Sequence, residues 1–136
     1  LLPVDELRKE RIVPHDYDVL VIGIAMGADP DVFAYWHSSQ AEEGGFNLSE
    51  YKSKRADEAL ESGRTRLDPA LRGAKYRAFT KAWIEDVPAT ALYRTSLSYL
   101  QSRSVLGFET RRIIDPADRF NNVEQWALTS TEKVRK

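Results

Sequence analysis

The first long apolar stretch of the chain is nearly continuous instead of periodic. Residues Tyr17–Ala25 are dominated by β-branched and aliphatic side chains, and the run is too short for an ordinary helix. Such a run is typical of a strand buried on both faces, as in parallel or mixed sheets of α/β proteins. We therefore predict a central strand here, followed by a loop at Met26–Ala28 at the carboxyl end of that strand.

Two later segments have their apolar residues at helical spacing. Asp68 and Pro69 separate them and supply a helix cap followed by a proline suited to the first helical position. We predict a helical hairpin, Lys54–Leu67 and Ala70–Asp86, packed on the sheet. The stripe of the first helix contains Ala56, Leu60, Gly63 and Leu67, and the face of the second contains Leu71, Ala74, Ala78, Phe79, Ala82 and Trp83.

Asp29, Pro30 and Asp31 repeat this pattern of cap, proline and carboxylate, which favours a helix start. A short aromatic helix is therefore predicted over Val32–His37. Another short, charged helix is predicted at Val4–Ile12. After Pro88 the pattern changes to short strands, predicted at 89–94, 97–103, 105–108 and 123–128, with a polar tail at 129–136.

Composition narrows the classes of protein that the chain can represent. Its 136 residues suit one domain, since domains average roughly 150 residues. The net charge of −1 gives no signal for nucleic acid, so no nucleic-acid partner is predicted. Cysteine is absent, which excludes disulfides and thiolate metal sites. No apolar run approaches the ~20 residues of a membrane-spanning helix.

No motif for catalysis or metal binding is present, so we predict no enzyme activity, no metal and no cofactor. His15 and His37 lack the spacing of a zinc site. His37, Ser38 and Ser39 are adjacent, but a short helix is expected to point them in different directions. The carboxylate pairs have simpler explanations in helix capping and loop exposure; they are Asp29 with Asp31 and Glu42 with Glu43.

Tyr35 and Trp36 follow the predicted central strand closely. Open α/β sheets bind their ligands beyond the carboxyl ends of the strands. We therefore expect these two aromatic side chains to line a cleft.

The order of these features resembles the extracellular solute-binding proteins of family 5, the dipeptide- and oligopeptide-binding components of bacterial ABC importers. The likeness extends from about Leu7 to Leu128. The motifs that carry it are Asp16–Leu20, Asp29-Pro30-Asp31 with Phe33, Asn47–Ser53 with Asp57 and Leu60, Arg72 and Tyr76 before Pro88, Ala91-Leu92-Tyr93, Val105–Phe108 and Trp126.

The resemblance implies an α/β fold: a type II periplasmic-binding-protein-like C-terminal lobe, with a mixed sheet and a helical hairpin on it. Residues 1–128 would be part of a two-lobe protein that closes over its ligand, and the strands from about residue 88 would partly return to the other lobe. The implied function is capture of peptides or similar small solutes for import. The implied partner is the membrane permease of the importer, and the implied location is periplasmic or extracellular, with a lipoprotein anchor in the full-length form.

The same resemblance places the ligand at the loop after the central strand. Peptide binders of the family commonly carry an Asp in this loop that holds the ligand's α-ammonium group. Here the loop is about one residue shorter, and Asp29 could take that role only if it is not committed to capping. The predicted ligand-binding residues are Ala25, Met26, Gly27, Asp29, Tyr35 and Trp36.

An alternative is a non-catalytic module of the same fold that recognises a protein partner or forms a homodimer. The short strands after Pro88 could pair with a second copy, because unpaired strand edges and exposed apolar surface promote association.

Overall fold

The computed structural model describes residues 2–96, 98–109 and 114–129. The chain divides into two compact units, Leu1–Ala91 and Leu92–Lys136. The predicted strand residue Leu97 and residues 130–136 of the predicted tail lie outside the described part.

The first unit is built on the two predicted helices, which are confirmed as α3 (Lys54–Arg64) and α4 (Pro69–Asp86), after α1 (Val4–Leu7) and α2 (Phe33–Trp36). A π-helical turn, Arg8–Ile12, continues α1, and a 3₁₀ turn, Ser38–Gln40, follows α2. The Asp68 side chain caps α4 by accepting a 2.8 Å hydrogen bond from the backbone N–H of Leu71. Helix α4 ends at Asp86, and the next residue, Val87, has a left-handed φ of 47°.

The core of this unit lies where α3 and α4 pack together under α2. Leu60 and Ala56 are fully buried. The predicted stripes are only partly correct: Leu67 is 98% exposed because α3 ends at Arg64, three residues earlier. On α4, Leu71, Ala74 and Ala78 are exposed. The buried core comprises Val32, Tyr51, Ala56, Ala59, Leu60, Tyr76, Phe79 and Ala82, with Phe33, Tyr35, Trp36 and Trp83 packed against it.

The predicted central strand at Tyr17–Ala25 is wrong for this structure. The segment is not part of a β-ladder, and Val19 and Val21 are 82% and 76% exposed. A strand exists only through hydrogen bonds to a neighbouring strand. Among the described residues, no segment supplies such a neighbour to 18–28.

The second unit contains a two-stranded antiparallel ladder. Strand β1 (Val105–Leu106) pairs with β2 (Ala127–Leu128), in the register Val105 with Leu128. Two 3₁₀ turns, Pro116–Phe120 and Val123–Gln125, precede β2. The described residues of the predicted strands at 89–94 and 98–103 are not strands.

The aromatic side chain of Trp126 organises the second unit. It lies 5.5 Å from the ring of Phe108 and donates a 3.0 Å hydrogen bond from Nε1 to Oδ1 of Asn122. Asn122 is buried and in turn donates to the carbonyl of Gly107. These contacts connect the residues next to β1 and β2 to the segment of 3₁₀ turns that lies between the two strands in the sequence.

Candidate functional site

Two adjoining depressions lie beside the loop that precedes α2. The loop pocket, of about 200 Å³, is lined by Ala25, Met26, Gly27, Asp29, Asp31, Val32 and Tyr35. The aromatic pocket, of about 390 Å³, is lined by Met26, Pro30, Val32, Trp36, Tyr76, Phe79, Thr80, Trp83 and Ala91. Met26 and Val32 belong to both, so the two pockets form one continuous surface.

All six predicted ligand-binding residues lie on this surface. Five of them, Ala25, Met26, Gly27, Asp29 and Tyr35, line the loop pocket. Trp36 lines the aromatic pocket. Their role in binding stays a prediction, since proximity to a pocket does not identify a ligand.

The predicted role of Asp29 as a helix cap is wrong, because α2 begins at Phe33 and its N-cap position is occupied by Val32, with no side-chain cap. Oδ1 of Asp29 accepts a 2.8 Å hydrogen bond from the backbone N–H of Asp31 and a 2.6 Å hydrogen bond from Nη2 of Arg72. The hydrogen bond from Arg72, followed by that from the Asp31 backbone, lowers the pKa of Asp29. Asp29 is therefore a carboxylate that already has a cationic partner.

Asp31 has a cationic partner of its own, on the other helix of the hairpin. Its Oδ2 lies 2.9 Å from Nε of Arg64, and its Oδ1 accepts a 3.1 Å hydrogen bond from the backbone N–H of Phe33. The Arg64 guanidinium also lies over the Phe33 ring, at 4.4 Å from its centroid. The loop pocket thus contains two carboxylates, and each is neutralised by an arginine.

The walls of the aromatic pocket come from two helices that are far apart in sequence. The rings of Trp36 on α2 and Trp83 on α4 meet edge to face, with centroids 5.3 Å apart and planes at 76°. Nε1 of Trp83 is buried and has no hydrogen-bond acceptor among the described residues. Sequence patterning assigned Phe79 and Trp83 to the core and missed Tyr76, although a spacing of three and four residues places all three on one face of α4.

His37 and Ser39 lie together beneath α2, contrary to the expectation that they point apart. Nδ1 of His37 lies 2.8 Å from Oγ of Ser39 and accepts a 3.1 Å hydrogen bond from the backbone N–H of Ser39. Nε2 is 3.2 Å from Oε1 of Glu61 on α3. Because Nδ1 accepts the backbone N–H, it carries no proton, and Nε2 is the donor to Glu61. The imidazole therefore caps the turn Ser38–Gln40 and joins it to α3.

The described residues provide neither a cluster of metal ligands nor a membrane-spanning helix. They include no group of three or more His, Cys, Asp or Glu side chains placed to hold a metal ion. None of the helices among them is long and apolar enough to cross a bilayer.

Comparison with known proteins finds two distant relatives. Protein XP55 of Streptomyces lividans is 35% identical over 77 residues, which is 55% of this chain and 14% of that protein. The oligopeptide-binding protein AppA of Bacillus subtilis (strain 168) is 26% identical over 113 residues, which is 83% of this chain and 20% of that protein. No family model matches the chain, and no solved structure matches it significantly.

The chain therefore spans one fifth or less of the curated relatives that it matches. The relative whose name states a function is a binding protein and not an enzyme. The longer of the two matches is thus a similarity to part of an oligopeptide-binding protein.

Proposed function

We propose that the chain is part of the substrate-binding component of an ABC importer, and that it captures peptides or similar small solutes. The observation that carries this proposal is the convergence of all six predicted ligand-binding residues on the loop pocket and the aromatic pocket. The similarity to an oligopeptide-binding protein over 83% of the chain supports it. In this proposal the full-length protein is exported, anchored by lipid and engaged by a membrane permease.

The two-pocket surface is suited to hold one side of an extended ligand. The loop pocket is lined in part by the exposed loop residues Ala25, Met26 and Gly27, and the aromatic pocket supplies a large apolar wall. Ligand sites combine such apolar walls with a few polar groups that fix orientation. In the proposed fold, residues 1–128 belong to the C-terminal lobe of a type II periplasmic-binding-protein-like protein, and a second lobe closes over the ligand.

This proposal predicts weak binding by the chain alone, because closure between two lobes provides much of the affinity of such proteins. Trialanine should be titrated into the ¹⁵N-labelled chain and followed by amide chemical shifts. We expect shifts at the loop and α2, with half-saturation in the millimolar range, and no measurable heat by calorimetry at micromolar concentration.

Tyr35→Ala provides the test variant and Tyr93→Ala the control. Tyr35 lines the loop pocket, whereas Tyr93 lies in the second unit and is 84% exposed. The first variant should reduce the shifts at Gly27 and Trp36, and the second should leave them unchanged. Unmoved loop amides in the unmodified chain would contradict the proposed site, and micromolar affinity would contradict the need for a second lobe.

A second candidate function is self-association, which the exposed segment 18–28 favours. Val19, Val21, Ile22 and Ile24 each have more than two fifths of their surface exposed, and the backbone around them is unpaired within the described part. Such a segment can pair with the same segment of a second copy. Size-exclusion chromatography with light scattering tests this, and a monomer at high and low concentration would exclude a homodimer.

A further inference from the structure

Two arginines attach the loop before α2 to the α3–α4 hairpin. Arg64 is the last residue of α3 and pairs with Asp31, while Arg72 lies in the first turn of α4 and pairs with Asp29. The two arginines thus lie on either side of the α3–α4 connection, and they bind the carboxylates of Asp29 and Asp31, which are two residues apart in the sequence. The loop pocket owes its shape to both attachments, because Asp29 and Asp31 are themselves part of its lining.

In the Arg72–Asp29 ion pair, the Arg72 side chain is the more buried of the two and has further contacts to Tyr76. Its guanidinium lies over the ring of Tyr76 at 5.1 Å from the centroid and donates a 3.4 Å hydrogen bond to the Tyr76 hydroxyl. The Arg72 side chain is 26% exposed, whereas that of Asp29 is 63% exposed. The buried ring of Tyr76 therefore fixes the cation, and the cation fixes the loop.

The two ion pairs determine the net charge of the loop pocket, where a solute would bind. Among the residues that line the loop pocket, the ionisable carboxylates are Asp29 and Asp31, and each has an arginine within 3 Å. A ligand's ammonium group would have to compete with the guanidinium for the Asp29 carboxylate, whose Oδ1 already accepts hydrogen bonds from Arg72 and from the Asp31 backbone. An uncharged amide or acyl group would meet no such competition.

We propose that Arg72 is a specificity-determining residue: by pairing with Asp29 it makes the loop pocket select solutes that are uncharged at this position over solutes that present an ammonium group. This inference rests on the proposed solute-binding function. Arg72 acts through Asp29 and the loop, so it is a positioning residue and need not touch the ligand.

The test compares two probes that differ in one charge. Trialanine amide carries a free ammonium group, and N-acetyl-trialanine amide does not. Both are titrated into the unmodified chain, into Arg72→Gln and into Arg66→Gln, and the amide shifts of the loop give the two dissociation constants. Arg66 is an exposed arginine between the two that hold the loop, so its replacement is the matched control.

In the unmodified chain the acetylated probe should bind at least as tightly as the free amine. In Arg72→Gln the ratio of affinities should change in favour of the free amine by about tenfold, which is the size expected for one charge-assisted hydrogen bond. Arg66→Gln should leave the ratio unchanged. Arg72→Lys keeps the charge and should retain most of the original preference.

Asp29→Asn provides a second test, in which the affinity ratio should change in the opposite direction. This test does not depend on how well Arg72→Gln folds. It leaves Arg72 without its carboxylate partner, so the preference should shift further towards the uncharged probe. The inference is wrong if the ratio of affinities for the two probes is the same in Arg72→Gln and Asp29→Asn as in the unmodified chain. It is also wrong if the unmodified chain prefers the free amine. In both cases the proposed function stands. If neither probe moves the loop amides of any variant, the proposed function is contradicted and the inference fails with it.

Discussion

Gly63 of α3 lies directly against the ring of Tyr76 in α4. A Cβ atom at Gly63 would be 3.1 Å from Cζ of the Tyr76 ring, closer than ordinary van der Waals contact. The absence of a side chain at this one position therefore allows the two helices to approach over a buried aromatic ring.

Gly63→Ala should destabilise the first unit, because the added methyl group would push the Tyr76 ring, and with it α4, away from α3. We expect a loss of about 1–3 kcal/mol in the free energy of unfolding, measured by urea denaturation with far-UV circular dichroism. The matched variant is Gly73→Ala, where the new Cβ meets only the flexible end of Arg77. That variant should be stabilised by about 0.5–1 kcal/mol, since glycine is unfavourable inside a helix.

Leu60→Ala should strongly destabilise the α3–α4 core. Leu60 has no exposed surface, so its removal leaves a cavity between the helices. Core replacements of this kind cost about 2–5 kcal/mol. Leu67→Ala, at a side chain that is 98% exposed, should change the free energy of unfolding by no more than about 0.5 kcal/mol. Equal losses in the two variants would contradict the packing described for α3.

Asn47→Ala should destabilise the connection between α2 and α3. Nδ2 of this fully buried side chain donates to the carbonyls of His37 and Tyr51, and Oδ1 accepts from the backbone N–H of Tyr51. Each buried group left unpaired costs about 1–3 kcal/mol. Ser49→Ala removes one hydrogen bond to the same Oδ1 and should cost at most about 1 kcal/mol. Thermal unfolding of both variants separates the two effects.

The stability of the first unit should fall at acid pH in part through Asp86. Oδ2 of Asp86 accepts a 2.6 Å hydrogen bond from the Tyr51 hydroxyl, and this bond is the main cause of the lowered pKa of Asp86. A carboxylate whose pKa is lowered in the folded state stabilises that state above its unfolded pKa of about 3.9, and the contribution is lost as the pH falls through the folded value.

Asp86→Asn should therefore reduce the unfolding midpoint at pH 6 and flatten its decline below about pH 4. Tyr51→Phe should weaken the same dependence, because it removes the leading hydrogen bond. Tyr93→Phe is the control, since Tyr93 is 84% exposed and lies in the second unit. An unchanged pH profile in Asp86→Asn would show that the carboxylate does not contribute.

The hairpin was predictable because its signals are local. Asp68 and Pro69 mark the start of α4, and helical spacing identifies most of α3. The spacing of Tyr76, Phe79 and Trp83 places Tyr76 on the buried face of α4, whereas the close approach of α3 over its ring depends on Gly63 and is not marked by any local pattern. The strand predicted at Tyr17–Ala25 failed for a related reason: its composition suits a sheet, but a strand also requires a partner, and composition contains no information about one.

The position of the loop pocket followed from the sequence, whereas its electrostatics did not. The resemblance to family 5 placed the ligand at the loop that contains Met26 and Gly27, and both residues line the loop pocket. The pairing of Asp29 with Arg72 joins residues 43 positions apart, so no local spacing reveals it. The capping role predicted for Asp29 failed for the same reason, since its carboxylate bonds to Arg72 and to the Asp31 backbone instead.

The exposed apolar segment also affects how the protein behaves in concentrated solution. Residues 19–24 combine high β-propensity with no charge, which is the pattern of sequences that form intermolecular β-structure. The exposed carboxylate of Asp18 immediately precedes them, in the position where natural sequences place a residue that opposes aggregation. We expect the negative charge of Asp18 to oppose intermolecular pairing of this segment at high protein concentration.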